Sequence, residues 1–316
     1  MIYQNKDIID SKIMMLGTEG RNPNSVNIDR VSTREMLEMI NNEDMTVPQK
    51  VRKAIPQIEK AIEYHLPKMQ KGGRLIYVGA GTSARLGFVD AAELPPSYHV
   101  EHGLFICLMA GGRDCVFRAQ EGKEDEAESA VRDLKEIGFN SLDTVCAVAA
   151  SGRTPYCMGA LKYAAEIGAG RIAIACNKGS EIGAISEIAI EMDIGPEVVM
   201  GSTRMKAASA QKLAMNMFST GLMIRDGRTL SNLMIPPSND QIGNSKVSNR
   251  APRRFAEVTG NPDLTYAMER LEEVNGCLRC AIIRELSGCD IETAKTTCDN
   301  CDGNIKKALK MVGAEY

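Results

Sequence analysis

The stretch GRLIYVGAGTSARLGFVDAAELPP, residues 73–96, decides how the rest of the chain folds. Leu75, Ile76, Tyr77 and Val78 form the short apolar run expected of a parallel strand covered on both faces. Gly79-Ala80-Gly81 then turns the chain. Thr82 and Ser83 bring small hydroxyls to the point where a helix N-terminus leaves backbone N–H groups unpaired and its dipole favours an anion. The stretch therefore reads as strand, glycine turn and helix, with room for a phosphate at the turn. It is not the Walker pattern, because no Gly-Lys-Ser/Thr follows. It also lacks the third glycine of the dinucleotide fingerprint, having Ala84-Arg85 before Gly87. A tight strand-to-helix turn needs glycine whatever it binds, so this signal alone does not name a ligand.

Outward from this stretch the same pattern repeats. Apolar runs at Leu104–Ala110 and Thr144–Ala150 read as strands, and the second ends in Ser151-Gly152-Arg153-Thr154-Pro155, another hydroxyl-bearing turn into a helix. Two such turns at strand ends of one sheet can converge on one ligand where the strand order reverses. Residues 156–168 continue as helix, Arg171–Cys176 and Ile185–Met192 as strands, and Gly195–Lys206 as a loop opening a long helix. Upstream, Ser32-Thr33 with Glu35 marks a capped helix start. Val47–Lys71 reads as one amphipathic helix leading into the first strand, and Gln120–Lys135 as an acidic helical segment. Residues 18–46 form an arm that must pack on something. Asn232–Ala251 is rich in Pro, Ser and Asn and reads as a linker.

With 316 residues and 44% hydrophobic composition, the chain can bury a full α/β core and an appendage. The net charge of −3 and the lack of a basic run give no electrostatic basis for nucleic acid or an anionic membrane surface. No apolar segment reaches the length of a membrane span and the N-terminus has no apolar signal core, so a cytoplasmic protein is expected. Ten cysteines, several inside apolar runs, suit reduced thiols used as small hydrophobes.

Cys277-x-x-Cys280 and Cys298-x-x-Cys301 have the spacing of a four-thiolate zinc site. An internal repeat argues against it. Residues 261–282 superimpose on 288–309 with Asp263 on Asp290, Ala267 on Ala294, Gly276 on Gly303 and Ala281 on Ala308. In that register Cys298 and Cys301 fall on Leu271 and Val274, whereas Cys277 and Cys280 fall on Asn304 and Lys307. The two pairs are not equivalent knuckles, and no metal is expected.

The segments TEGRNPNS (18–25), IDRVST (28–33), GRLIYVGAGTSARLG (73–87), DAAELPP (90–96), EGKED (121–125), AASGRTPY (149–156), GPEVVMGSTRMK (195–206) and AQKLAMNMFSTG (210–221) together resemble the N-acetylmuramic acid 6-phosphate etherases. These are phosphosugar lyases of the sugar isomerase (SIS) fold. The resemblance covers essentially the whole chain. Glucokinase regulatory proteins share much of it but carry two SIS modules, and this chain has length for one. The implied fold is an α/β three-layer sandwich with a mostly parallel sheet, an N-terminal helical arm and a small C-terminal helical, UBA-like repeat. The implied division is 1–46 arm and helix, 47–231 SIS domain, 232–255 linker and 256–316 helical domain. The chain departs from the family at Ala84, where glycine is usual, at Lys178, and in the segment after Met234.

The resemblance implies a cofactor-free cleavage of the D-lactyl ether at C3 of a phosphosugar, by elimination across C2–C3 and then hydration. One ionised carboxylate must take the C2 proton, and one neutral carboxyl must protonate the leaving oxygen. By resemblance Glu124, in EGKED, is the base, with Lys123 and Asp125 modulating it. Glu93, beside Leu94 and Pro95-Pro96, is the acid, expected in a desolvated position. Thr82, Ser83, Ser151, Arg153 and Thr154 are the candidate phosphate ligands, although capping hydroxyls are equally natural at such turns. Glu197, Ser202 and Lys206 are further candidate substrate contacts, with Glu197 able instead to cap the following helix. A phosphosugar substrate and a homodimer are expected, with neither nucleic acid nor membrane as partner. A phosphosugar isomerase and a non-enzymatic phosphosugar sensor are the alternatives.

Overall fold

Five parallel strands form one sheet in the order β2-β1-β3-β4-β5. They are β1 (Leu75–Gly79), β2 (Phe105–Met109), β3 (Thr144–Ala149), β4 (Gly170–Ala175) and β5 (Ile188–Glu191). The structure is a computed structural model and describes residues 16–235 and 250–314. β1 and β3 are buried at every position, so they carry continuous apolar runs and not an alternation. β1 has β2 on one side and β3 on the other, in register Gly79 to Met109 and Gly79 to Val148. The chain therefore leaves β1 in one direction and returns to its other flank, which opens a crevice at the carboxyl ends of β1 and β3.

The helices differ from the sequence reading where proline and glycine act. The segment 47–71 is two helices, α1 being the preceding capped helix (Thr33–Asp44), followed by α2 (Val47–Arg52) and α3 (Ile55–Met69). Pro56 lies in the first turn of α3. It has no N–H to continue a helix from α2, and its ring would collide with the carbonyl four residues back, so the chain breaks at Lys53-Ala54. After α4 (Gly81–Tyr98) and the short α5 (Asp114–Phe117), the segment 120–135 begins with a 3₁₀ turn, Lys123–Asp125. Only then does it become α6 (Ala127–Glu136). In the segment 185–192 only Ile188–Glu191 is strand (β5), because the turn that ends the short α8 (Glu181–Ala184) occupies residues 185–187. The predicted capping box is present, with Ser32 Oγ accepting from Glu35 N and the Glu35 carboxylate accepting from Ser32 N.

The core on one face of the sheet joins Ile76, Val78, Val145 and Ala147 to Leu134 of α6 and to Ala160, Leu161 and Ala164 of α7 (Pro155–Glu166). The arm packs as its composition requires. Thr18 N donates to Asn177 Oδ1 and Asn177 Nδ2 donates back to Thr18 Oγ1 at 2.9 Å, while Ser25 Oγ donates to Val198 O at 2.8 Å.

On α3, His65 is fully buried and its Nδ1 shares a 3.0 Å hydrogen bond with Thr144 Oγ1. Burial, reinforced by the Lys68 charge, lowers its pKa to about 4, so it is neutral in the native state at pH 7. The unfolded chain binds a proton at His65 below about pH 6.5 that the native chain refuses until pH 4. Stability from this group is thus complete above pH 6.5 and is lost as pH falls toward 4, by about 3 kcal/mol in all. We expect urea midpoints measured across that window to fall steeply for wild type and less steeply for His65→Gln. Parallel slopes would contradict this.

The chain divides into two compact units, one comprising the described residues up to Ala92 with His102–Ser219, the other Glu93–Glu101 with the residues from Thr220 onward. The second unit contains a short hairpin of β6 (Thr229–Leu230) and β7 (Leu233–Met234), which receives the chain from α9 (Lys206–Arg225). Among the described residues five helices follow, α10 (Arg250–Thr259), α11 (Leu264–Glu273), α12 (Leu278–Ser287), α13 (Ile291–Asp299) and α14 (Ile305–Met311). Most of the expected linker, 236–249, lies outside the described residues. The repeat is visible in the caps. Asp263 caps α11 and Asp290 caps α13, while Cys277 caps α12 and Asn304 caps α14. Asn275-Gly276 and Asp302-Gly303, at matching places, all have positive φ. Leu271, Val274, Cys298 and Cys301 are all buried, as the register requires.

Candidate active site

The crevice at the carboxyl ends of β1, β2 and β3 is a cleft of about 310 Å³. The β1–α4 turn lines it with Gly81, Thr82 and Ser83, and the β3–α7 turn with Ser151 and Thr154. Glycine is required at both turns. Gly81 has φ +52° and Gly152 φ +78°, and a Cβ on Gly152 would collide with Ser180. The N-termini of α4 and α7 thus open on one cleft, where unpaired N–H groups and helix dipoles favour an anion.

The hydroxyls are not equivalent. Thr154 is the N-cap residue of α7, yet its side chain makes no capping hydrogen bond, which leaves the hydroxyl for a ligand. Ser83 lines the cleft but its Oγ donates to Gln211 Oε1 at 2.9 Å, and both residues are buried. Ser151 Oγ accepts from Arg153 N at 3.3 Å. Ala84, the departure from the family pattern, is 1% exposed and does not line the cleft, so its methyl rides inside the helix packing.

Glu124 lines the same cleft. The turn that carries it follows Gly122, whose φ of +83° reverses the chain, and Glu124 is half-buried there. Lys123, beside it, has its Nζ paired with Glu126 Oε1 at 2.8 Å. Glu93 is placed differently. It lies on α4 twelve residues beyond Gly81, is exposed, and is not among the residues that line the cleft. The desolvated position expected for it is not present in the single chain, because the apolar neighbour Leu94 is buried on another side of the helix.

Of the four other candidates, three have side chains partnered within the fold. Glu197 is fully buried, and its two carboxylate oxygens accept from Lys206 N and Ala207 N at 2.9 Å each, capping α9. Burial raises its pKa while those backbone hydrogen bonds oppose the rise. Lys206 Nζ is paired with Glu43 and its side chain is 1% exposed. Burial alone would raise Glu43, but the hydrogen bonds from Lys206, Asn24 and Asn22 bring it down to about 2. Arg153 Nε bonds Glu181 Oε1 at 2.9 Å, and Ser202 stands outside the cleft lining beside Thr203, which is inside it.

Thr203, Glu19, Gln120 and Glu121 line the cleft and were not singled out in the sequence. Glu19 arrives there because Thr18 is bonded to Asn177, a contact across 159 residues that no local pattern encodes. Thr203 and Glu121 stand inside quoted motifs, GSTRMK and EGKED, and that was the available signal. Arg85 also lines the cleft, with its guanidinium spanning Cys115 O and Val116 O at 2.7 and 2.8 Å, so it holds the segment that leads toward Glu124.

Residues 57–165 match the family described as glucokinase regulatory protein N-terminal SIS domain. An N-acetylmuramic acid 6-phosphate etherase of Caldanaerobacter subterraneus subsp. tengcongensis is 46% identical over 295 residues, covering 93% of this chain and 95% of that one. Its counterpart in Oceanobacillus iheyensis is 46% identical over 294 residues, covering 92% and 98%, and that of Lactobacillus johnsonii 45% over 296, covering 93% and 97%. With identity at this level running through both units, the chain belongs to the N-acetylmuramic acid 6-phosphate etherase family.

Proposed function

We propose that this chain cleaves the D-lactyl ether of N-acetylmuramic acid 6-phosphate, giving N-acetylglucosamine 6-phosphate and D-lactate, in the recycling of cell-wall amino sugar. The observation that carries the reading is the presence of Glu124 in the cleft onto which both hydroxyl-bearing helix N-termini open. The phosphate sits on those N-termini and on the Thr154, Thr82 and Ser151 hydroxyls, with Ser83 contributing chiefly through its backbone N–H. The open-chain aldehyde at C1 acidifies the C2 proton. Glu124 takes that proton, leaving an enolate conjugated with C1, and the C3–O bond then breaks as the C2–C3 double bond forms. The lactate oxygen leaves with a proton from Glu93, and water then adds its hydroxyl to C3 and a proton to C2. Two carboxyls suffice for these transfers without a metal or cofactor.

Glu93 must be shielded from water to hold a proton at neutral pH, and it is exposed in one chain. A homodimer in which a second copy covers it meets that need. Among the described residues no helix is long and apolar enough to cross a membrane, which accords with a cytoplasmic enzyme.

Thr154→Val removes the hydroxyl and keeps the shape. We expect it to weaken binding of the 6-phosphate by about 1–3 kcal/mol, the cost of leaving a charged group short of one hydrogen bond. Unphosphorylated N-acetylmuramic acid should bind poorly to both forms. Calorimetry that finds equal affinity for the two sugars would sink the phosphate assignment.

A further inference from the structure

In the second unit three thiols meet. Cys277 caps α12, Cys280 stands in the first turn of α12, and Cys298 lies at the end of α13. Their sulfur atoms are all within 4.8 Å of one another. Cys301 does not join them, because its Sγ is 3.4 Å from Met311 Sδ. The sequence register explains half of this, placing Cys298 on a core-facing position of α13 and Cys301 on a buried position just beyond its end. It does not show that the last turn of α13 lies against the N-terminus of α12, where the other pair begins.

The neighbouring charge is the second observation. Arg279 is 1% exposed, among the most buried large side chains of the protein. Its Nε donates to Ile235 O at 2.8 Å, while its Nη2 is buried without a hydrogen-bond partner. Arg279 lies within electrostatic reach of Cys277, Cys280 and Cys298, and Arg228, itself paired with Asp226 Oδ2 at 2.7 Å, stands beside it. A buried guanidinium with a vacant donor requires an anion nearby. Three neutral thiols supply none, and a disulfide between two of them would supply none either. Three thiolates around a divalent cation carry one net negative charge.

We propose that Cys277, Cys280 and Cys298 bind one Zn²⁺ as thiolates, with Arg279 as the buried counter-charge and the fourth position taken by water or another exogenous ligand. Tetrahedral zinc with Zn–S near 2.3 Å sets its sulfurs about 3.8 Å apart. The three thiols reach that spacing with shifts of about an ångström or less. The metal ties the start of α12 to the end of α13 and so fastens one half of the helical repeat to the other. This revises the expectation of no metal: the two C-x-x-C pairs do not form a four-thiolate knuckle, but three of their members form a site.

The test uses the full chain, expressed with zinc supplied and purified under reductant. Elemental analysis should find about one zinc per chain, and exchange for Co²⁺ should give the near-ultraviolet sulfur-to-cobalt charge-transfer band. Cys298→Ser and Cys277→Ser should abolish both signals, whereas Cys301→Ser and Cys289→Ser should keep them. Arg279→Met should weaken zinc about tenfold or more, as loss of a supporting partner does at other sites. A readout on the unmodified chain guards against variants that fail to fold. Alkylation mapped by mass spectrometry should spare Cys277, Cys280 and Cys298 until a chelator is added. No retained zinc and no cobalt band would overturn the proposal, as would a Cys277–Cys280 disulfide in protein kept reduced. Loss of metal in Cys301→Ser would replace the three-thiol site by a closed four-thiolate one.

Discussion

Glu124→Ala is expected to lose lactate release and C2 proton exchange together, each by about a hundred- to ten-thousand-fold, the span over which positioned acids and bases act. Elimination begins with removal of the C2 proton, and Glu124 is the candidate base, lining the cleft onto which the two helix N-termini open. Glu93→Ala should separate the two steps. Lactate release falls by a similar factor, because the leaving oxygen has no proton donor, while Glu124 still exchanges the C2 proton of N-acetylglucosamine 6-phosphate. Proton NMR of that sugar in deuterated water reads exchange for each variant. Exchange lost in Glu93→Ala and kept in Glu124→Ala would reverse the roles. Normal lactate release in both variants would remove the pair from the mechanism.

The second large effect concerns stability. Glu43→Ala should lower the unfolding free energy by about 3–5 kcal/mol, because it leaves the buried Lys206 ammonium without its ion-pair partner. Lys206→Met should cost less, since Glu43 is the more exposed partner and retains the Asn24 side-chain bond at 2.8 Å. Glu43→Leu combined with Lys206→Met should recover much of the loss of Glu43→Ala, since neither charge of the pair then remains. The pH dependence has a definite sign. With a folded pKa of about 2 against 4.5 unfolded, Glu43 contributes its stability above pH 4.5 and loses it as pH falls toward 2. That window overlaps the one for His65 only between about pH 4 and 4.5, so acid titration largely separates them. Chemical denaturation that places Glu43→Ala within about 1 kcal/mol of wild type would show that Lys206 finds another partner or reaches water.

What could be read in the sequence was local. The turns after β1 and β3 announced themselves because glycine, small hydroxyls and a preceding apolar run are all adjacent in the chain. The Ser32–Glu35 capping box and the repeat around Asp263 and Asp290 were legible for the same reason. The break at Lys53-Ala54 was also within reach, since Pro56 marks it, but the apolar spacing of Val51, Ile55, Ile58 and Ile62 runs straight through and masked it. What stayed hidden were contacts between distant residues. Lys206 resembles a phosphate-binding cation until Glu43, 163 residues away, claims it. Glu197 could have faced a sugar or a helix end, and only the path of the loop between it and α9 decides. Glu19 enters the cleft through a buried pair that depends on where the arm docks, and Cys298 reaches Cys277 only once the two halves of the repeat pack. The exposure of Glu93 belongs to the same class, because its environment depends on what covers α4.

The most direct test of the account is incubation of the purified chain with N-acetylmuramic acid 6-phosphate in deuterated water, with lactate and N-acetylglucosamine 6-phosphate measured together. The account requires the two products in equal amounts, with deuterium at C2 of the sugar and, in a parallel run, heavy oxygen from water at its C3 hydroxyl. Tight binding of the substrate without lactate, or lactate that carries the water oxygen while the sugar keeps its own at C3, would contradict it.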